Sequence, residues 1–158
     1  MSVWLVRHGA TEWSESGRHT GRTDIPLLPA GEADARALAP RLAGQDFALV
    51  LTSPLQRARH TAELAGFPQA EPDADLLEWD YGHYEGITTS QIRQDVPDWT
   101  VWTHPCPGGE TSDQVAARLD RVVARLRSLD GDALVFGHGH ALRALTARTF
   151  AVNCVPTI

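Results

Sequence analysis

The sequence predicts an α/β fold occupying a single domain over 1–158, with a mainly parallel central sheet covered by helices on both faces. Three observations predict it. Short apolar runs at 3–6, 47–51 and 133–136 have the length and composition of buried strands. Segments with helical spacing separate these runs, and parallel strands require such crossover connections. Each run also ends in residues suited to binding rather than packing: Arg7-His8-Gly9, the segment from Ser53 to Arg57, and Gly137-His138-Gly139-His140.

Taken in order, the first strand closes on Arg7-His8-Gly9, and residues 17–29, with glycines, prolines and polar side chains, read as a functional surface loop. Alanines and leucines at helical spacing predict a helix over 31–42. Ser53 before Pro54 reads as an N-cap with proline in the first helical position, predicting a helix to about Ala65 with Arg57 in its first turns. Residues 73–86 are aromatic and acidic without a clear period, as in a lid or pocket wall, and 88–99 reads as a short helix. Val115, Leu119, Val122, Val123 and Leu126 fall on one helical face. The third strand ends at Gly137, and helical residues resume at Ala141. Trp79, Tyr81, Tyr84, Trp99 and Trp102 read as core or pocket wall.

Composition narrows the function. A chain of 158 residues is long enough for one continuous core, and its 42% hydrophobic and 22% charged residues are ordinary for a globular protein. The net charge of −6 disfavours nucleic acid as a partner, since such surfaces cluster Lys and Arg. A small anionic ligand would therefore need a local basic pocket. No apolar run approaches the roughly 20 residues of a membrane span, and the amino terminus lacks the parts of a signal peptide. Cys106 and Cys154 match no metal or redox spacing, which favours a reduced cytoplasm.

Ligands of parallel sheets bind beyond the carboxyl ends of the strands, so Arg7, His8, Arg57 and His138 are expected around one crevice. Two histidines and two arginines make a cationic cup suited to a phosphoryl group. A metal site built from His8, His138 and His140 is the competing reading. It is disfavoured because Arg7 and Arg57 would repel a cation and no i, i+4 histidine pair accompanies them. No metal or other cofactor is expected.

The stretch Leu5-Val6-Arg7-His8-Gly9-Ala10-Thr11-Glu12-Trp13 resembles the signature of the histidine phosphatase, or phosphoglycerate mutase-like, superfamily. The resemblance continues through Thr20-Gly21-Arg22-Thr23-Asp24, Thr52-Ser53-Pro54-Leu55-Gln56-Arg57, Glu78-Trp79-Asp80-Tyr81-Gly82 and Gly137-His138-Gly139-His140-Ala141-Leu142-Arg143. It implies a metal-independent phosphomonoester hydrolase in which His8 is the nucleophile and Arg7, Arg57 and His138 hold phosphoryl oxygens. Glu78 would protonate the leaving group and then activate water, with Asp80 and Glu85 as nearby competitors. An attacking imidazole must be neutral, so its other nitrogen needs a fixed acceptor, for which a backbone carbonyl near Gly9 is suited.

Thr20 and Gly21 are expected to offer hydroxyl and backbone donors to phosphate, and His140, Arg143 and Tyr81 to contact substrate. The branch most resembled contains sedoheptulose-bisphosphatase-like enzymes and mycobacterial acid or glucosyl-phosphoglycerate phosphatases, which implies sugar phosphates or phosphoglycerate derivatives as substrates. A cofactor-dependent phosphoglycerate mutase and a non-catalytic phosphate-binding module are the alternatives. The mutases are longer and enclose their intermediate, so hydrolysis is favoured over transfer. Relatives also continue past the helix containing Arg143. The chain therefore reads as shortened at its carboxyl terminus, with a sheet edge that a homodimer partner would cover.

Overall fold

The computed structural model describes residues 1–149. Four strands, β1 (Val3–Arg7), β2 (Phe47–Thr52), β3 (Glu71–Pro72) and β4 (Asp132–Gly137), form a parallel sheet in the order β1-β4-β2-β3. The helices are α1 (Glu12–Glu15), α2 (Pro29–Leu42), α3 (Gln56–Leu64), α4 (Thr89–Asp95), α5 (Ser112–Arg127) and α6 (Gly139–Thr149). The expected α/β architecture is present, with helices on both faces.

Strand β4 shows why the sheet must be covered twice. Its successive side chains point to opposite faces, and Ala133 to Phe136 are all fully buried. Ala133 and Val135 join Val115, Leu119, Val122 and Val123 of α5 and Leu142 and Leu145 of α6 in the larger core. Leu134 and Phe136 meet Leu42 of α2 and Ala62 of α3 on the other side. The five apolar positions expected on one face of α5 are all buried, and Thr111 starts that helix by accepting from Gln114 N while the Gln114 side chain accepts from Thr111 N.

Several boundaries differ from expectation. Ser53 is not the cap of α3, which begins at Gln56 after the extended residue Leu55. The Gln56 N–H donates instead to Asp24 Oδ1 at 2.8 Å, so a loop residue distant in sequence caps the helix. Ser53 is thereby left to the crevice. Helix α4 stops at Asp95, because Pro97 disfavours helical backbone at Val96. Helix α6 begins two residues earlier than expected, at Gly139. The single-turn α1, capped by Thr11, and the two-residue β3 were not anticipated, being too short to show a period. Trp79, Tyr81 and Trp99 lie in the core as expected, whereas Trp102 is 46% exposed, beside His140 and Trp79. Cys106 is buried as a free thiol. Cys154 and the carboxyl-terminal tail lie outside the described residues.

Candidate active site

β1, β4 and β2 are neighbours in the sheet, so their carboxyl ends lie side by side. His8 N donates to Gly137 O at 3.0 Å and Ser53 N to Phe136 O at 2.9 Å, lacing the three tips together. This convergence was the central expectation from the sequence.

His8 is half-buried at the tip of β1, its Nδ1 2.8 Å from Gly9 O. A carbonyl only accepts, so Nδ1 carries the proton and Nε2 keeps its lone pair. Burial, reinforced by the charges of Arg57 and Arg7, outweighs the Gly9 bond and lowers the His8 pKa to about 4. The ring is neutral at pH 7. The Gly9 turn is seated by close backbone contact: a Cβ on Gly9 would overlap Gly31 O and lie 2.8 Å from Gly31 Cα in the first turn of α2. Gly9 N also donates to Thr61 Oγ1 of α3 at 3.1 Å.

His138, fully buried, places its ring 5.2 Å from that of His8, with Nε2 2.7 Å from Ser53 Oγ. Burial first, then Arg57, His8 and more distant arginines, pushes its pKa well below the ordinary value. Arg57 is also fully buried and donates through Nη1 to Thr23 O and through Nη2 to Thr20 O and Gly21 O. Among the described residues, Arg57 Nε and His138 Nδ1 are the buried side-chain nitrogens or oxygens without a partner. Buried polar groups are nearly always paired, so these two nitrogens are exceptions among the described residues.

The Glu78 carboxylate, 5% exposed, accepts from Trp79 N and Ala141 N at Oε1 and from His140 N at Oε2. It therefore binds the first turn of α6. Arg7 faces the same spot: a Cβ on Gly139 would lie 3.5 Å from Arg7 Nε and 3.9 Å from Glu78 Oε2. The competing carboxylates are engaged elsewhere. Glu85 Oε1 accepts from Gly21 N and Thr23 N, while Asp80 Oδ1 accepts from Gly82 N.

Arg7, His8 and Glu78 line a cleft of about 180 Å³ with Thr20, Tyr81, His140, Arg143, Ser14, Gly17, Arg18, His19 and Gly139, whereas Arg57 and His138 are fully buried and stand outside that lining. Gly21 lies outside the cleft lining; its N–H donates to Glu85 Oε1, its carbonyl accepts from Arg57, and a side chain there would overlap Trp79 O, so it orders the loop. Sequence reasoning missed His19, which is no more than one polar residue in a polar loop. It also missed Arg118 on α5, whose surroundings on an amphipathic helix give no hint of burial. Arg118 is 7% exposed and donates to Asp75 O, Leu77 O, Glu78 O and both oxygens of Glu110. It holds the segment that carries Glu78.

A parallel sheet with a neutral histidine, two arginines and a buried carboxylate at its carboxyl edge defines a phosphoryl-handling α/β enzyme. Comparison with known proteins gives the family. Residues 3–154 match the model of the histidine phosphatase superfamily (branch 1), and the chain belongs to that superfamily. It is 48% identical over 149 residues to an acid phosphatase of Mycobacterium tuberculosis, covering 91% of this chain and 73% of that protein. It is 36% identical to sedoheptulose 1,7-bisphosphatase of Saccharomyces cerevisiae, covering 94% and 67%. Among solved structures, that of a Mycobacterium tuberculosis open reading frame superposes with a TM-score of 0.86 at 47% identity, over 92% of this chain and 78% of that one. A mycobacterial glucosyl-3-phosphoglycerate phosphatase, solved with VO3, superposes at 0.83 with 29% identity, over 94% and 81%. The chain is a phosphatase of small phosphorylated metabolites. No helix among the described residues is long and apolar enough to cross a membrane.

Proposed function

We propose that the chain, as one domain over 1–158, hydrolyses sugar phosphates or phosphoglycerate derivatives through a phosphohistidine on His8. The observation that carries the reading is the His8 Nδ1 bond to Gly9 O, which leaves Nε2 as a neutral nucleophile beside Arg7 and Arg57. In the first step the Nε2 lone pair forms the N–P bond while the ester P–O bond breaks. The leaving oxygen takes a proton from Glu78. In the second step Glu78 removes a proton from water, whose oxygen attacks phosphorus, and the N–P bond breaks to restore His8 and release inorganic phosphate. Arg7, Arg57 and His138 hold the phosphoryl oxygens in both steps, using charge and donors fixed before reaction.

Glu78 supports this role because it alone among the three candidate carboxylates lines the cleft, with Oε2 on the side of Arg7. Thr20, Tyr81, His140 and Arg143 bind the remainder of the substrate. Substrates named for the relatives, a sedoheptulose bisphosphate and a glucosyl phosphoglycerate, fit the class proposed. Residence in the cytoplasm and assembly as a homodimer belong to the same reading; cell fractionation and sedimentation test them. Acid-quench trapping with a labelled phosphate ester tests the chemistry. A phosphoenzyme should form in the parent and not in His8→Ala. Phosphate release without any trapped intermediate, or rapid isomerisation of 3-phosphoglycerate in place of release, would overturn it.

A further inference from the structure

Part of the cleft wall has a hydrogen-bond polarity that can be worked out atom by atom. His19 Nδ1 lies 2.8 Å from Ile87 O. A carbonyl can only accept, so Nδ1 is the protonated nitrogen and, in the neutral ring, Nε2 is an acceptor. His140 is set the other way. Its Nδ1 lies 2.5 Å from the hydroxyl of Tyr81, a phenol 2% exposed that has no other side-chain or backbone partner among the described residues. A buried hydroxyl must place its hydrogen, so Tyr81 donates to Nδ1 and the proton of neutral His140 sits on Nε2. Burial above all, with Glu78 adding, pushes the Tyr81 phenol well up, and burial lowers His140, so both are neutral near pH 7.

The two rings are held parallel, at an interplanar angle of 11° with centroids 6.3 Å apart, and both line the cleft that His8 and Glu78 line. His19 is further braced edge-on by Tyr81 and Trp99, at 4.9 and 5.3 Å. Neither ring can turn over without breaking its part-buried bond. With both rings neutral, the wall offers one fixed acceptor and one fixed donor in the cleft that Arg7 also lines.

Building on the proposed phosphatase reading, we propose that His19 and His140 form a specificity pair that recognises hydroxyl groups on the leaving group. Their Nε2 atoms accept from one hydroxyl and donate to another, so the enzyme selects polyol and sugar phosphates over alkyl phosphates. A site built around hydroxyls rejects the analogue lacking them, because its own polar atoms are then left unpaired.

The test compares glycerol 3-phosphate with n-propyl phosphate, which share a carbon count and differ in hydroxyls. The parent should favour glycerol 3-phosphate in kcat/KM by about tenfold or more, the value of one net hydrogen bond. His19→Leu should bring that ratio toward one, and His19→Gln, which keeps an acceptor, should restore part of it. Tyr81→Phe preserves the packing but frees the His140 tautomer, and should lower the ratio too, which guards against a His19 variant that does not fold. A parent ratio near one, or a ratio unchanged in folded His19→Leu, would overturn the specificity pair while leaving the phosphatase reading intact. Failure of the parent to release phosphate from either ester, with no phosphoenzyme trapped, would remove both.

Discussion

Replacing Arg118 by methionine removes the buried side chain that ties α5 to the backbone of the segment carrying Glu78, leaving the more exposed Arg121–Asp75 and Arg125–Asp73 pairs. The Arg118 side chain is 8% exposed, with Nε 2.8 Å from Glu110 Oε1, and the Glu110 side chain is 16% exposed. Removing one partner of a buried ion pair costs about 3–5 kcal/mol, since the remaining charge is left uncompensated. Glu110 keeps Arg22 Nη2 at 3.3 Å and Asp80 N at 3.0 Å, which places the expected loss at the lower end, about 3 kcal/mol. For a chain of this length that lowers Tm by roughly 10 °C.

The loss should also carry a pH signature. Burial raises the Glu110 carboxyl, but the bonds from Arg118 and Asp80 N and the charges of Arg118 and Arg22 outweigh it, and the net shift is downward. A carboxyl depressed in the folded state contributes stability that is present above its unfolded pKa of about 4.3 and is lost as pH falls through the folded value. The stability gap between parent and Arg118→Met, measured by urea unfolding, should therefore narrow below about pH 4. Freed of its clamp on Asp75 O, Leu77 O and Glu78 O, the Glu78 carboxylate should lose its position, so kcat falls about tenfold with KM little changed. A variant within about 1 kcal/mol of the parent, with the same kcat, would refute the clamp.

Two further predictions concern His8 and its support. Gly31→Ala should cost about 3 kcal/mol, because the new Cβ would overlap Ala10 N and O and lie 2.9 Å from Gly9 C. It should also lower kcat by displacing the carbonyl that fixes the His8 tautomer, and a normal Tm with full activity would contradict this packing. For pH, protonation of His8 removes its lone pair, so the acid limb of kcat/KM due to this residue should lie near pH 4, and a His8 titration at 6.5 in NMR would contradict the burial argument. Because the folded pKa is depressed, the associated stability is complete above about 6.5 and declines as pH falls toward about 4.

The sheet was legible because its strands are apolar on both faces, a pattern that only burial between two helical layers produces; β4 is the clearest case. His8, Arg57 and His138 were legible because they follow such strands directly. The Gly9 carbonyl was legible from chemistry, since a nucleophilic imidazole needs a fixed tautomer. What stayed hidden depends on contacts between segments far apart in the chain. Asp24 caps α3 across 32 residues, Glu85 binds Gly21 N across 64, and Arg118 reaches Leu77 O across 41. Ser53 misled because Ser-Pro is a local cap signal, and here a distant aspartate took that task while Ser53 turned to His138. His19 carried no local signal at all, since its tautomer depends on a carbonyl 68 residues away.

Arg57 ties these hidden contacts to the chemistry. Its Nη groups are consumed by carbonyls of Thr20, Gly21 and Thr23, so the loop that carries His19 is fixed by the same side chain that faces the nucleophile. A lysine has one nitrogen and could not hold the loop while keeping another donor free, as Arg57 Nε is. Buried arginine charge beside His8 also lowers that histidine's pKa, after burial itself. On the proposed reading one guanidinium adds to the burial that keeps the nucleophile neutral, supplies positive charge for the phosphoryl oxygens and holds the loop behind the proposed specificity wall. The proposed cup and specificity wall then share one support, and a change in the 20–23 loop should alter turnover as well as substrate preference.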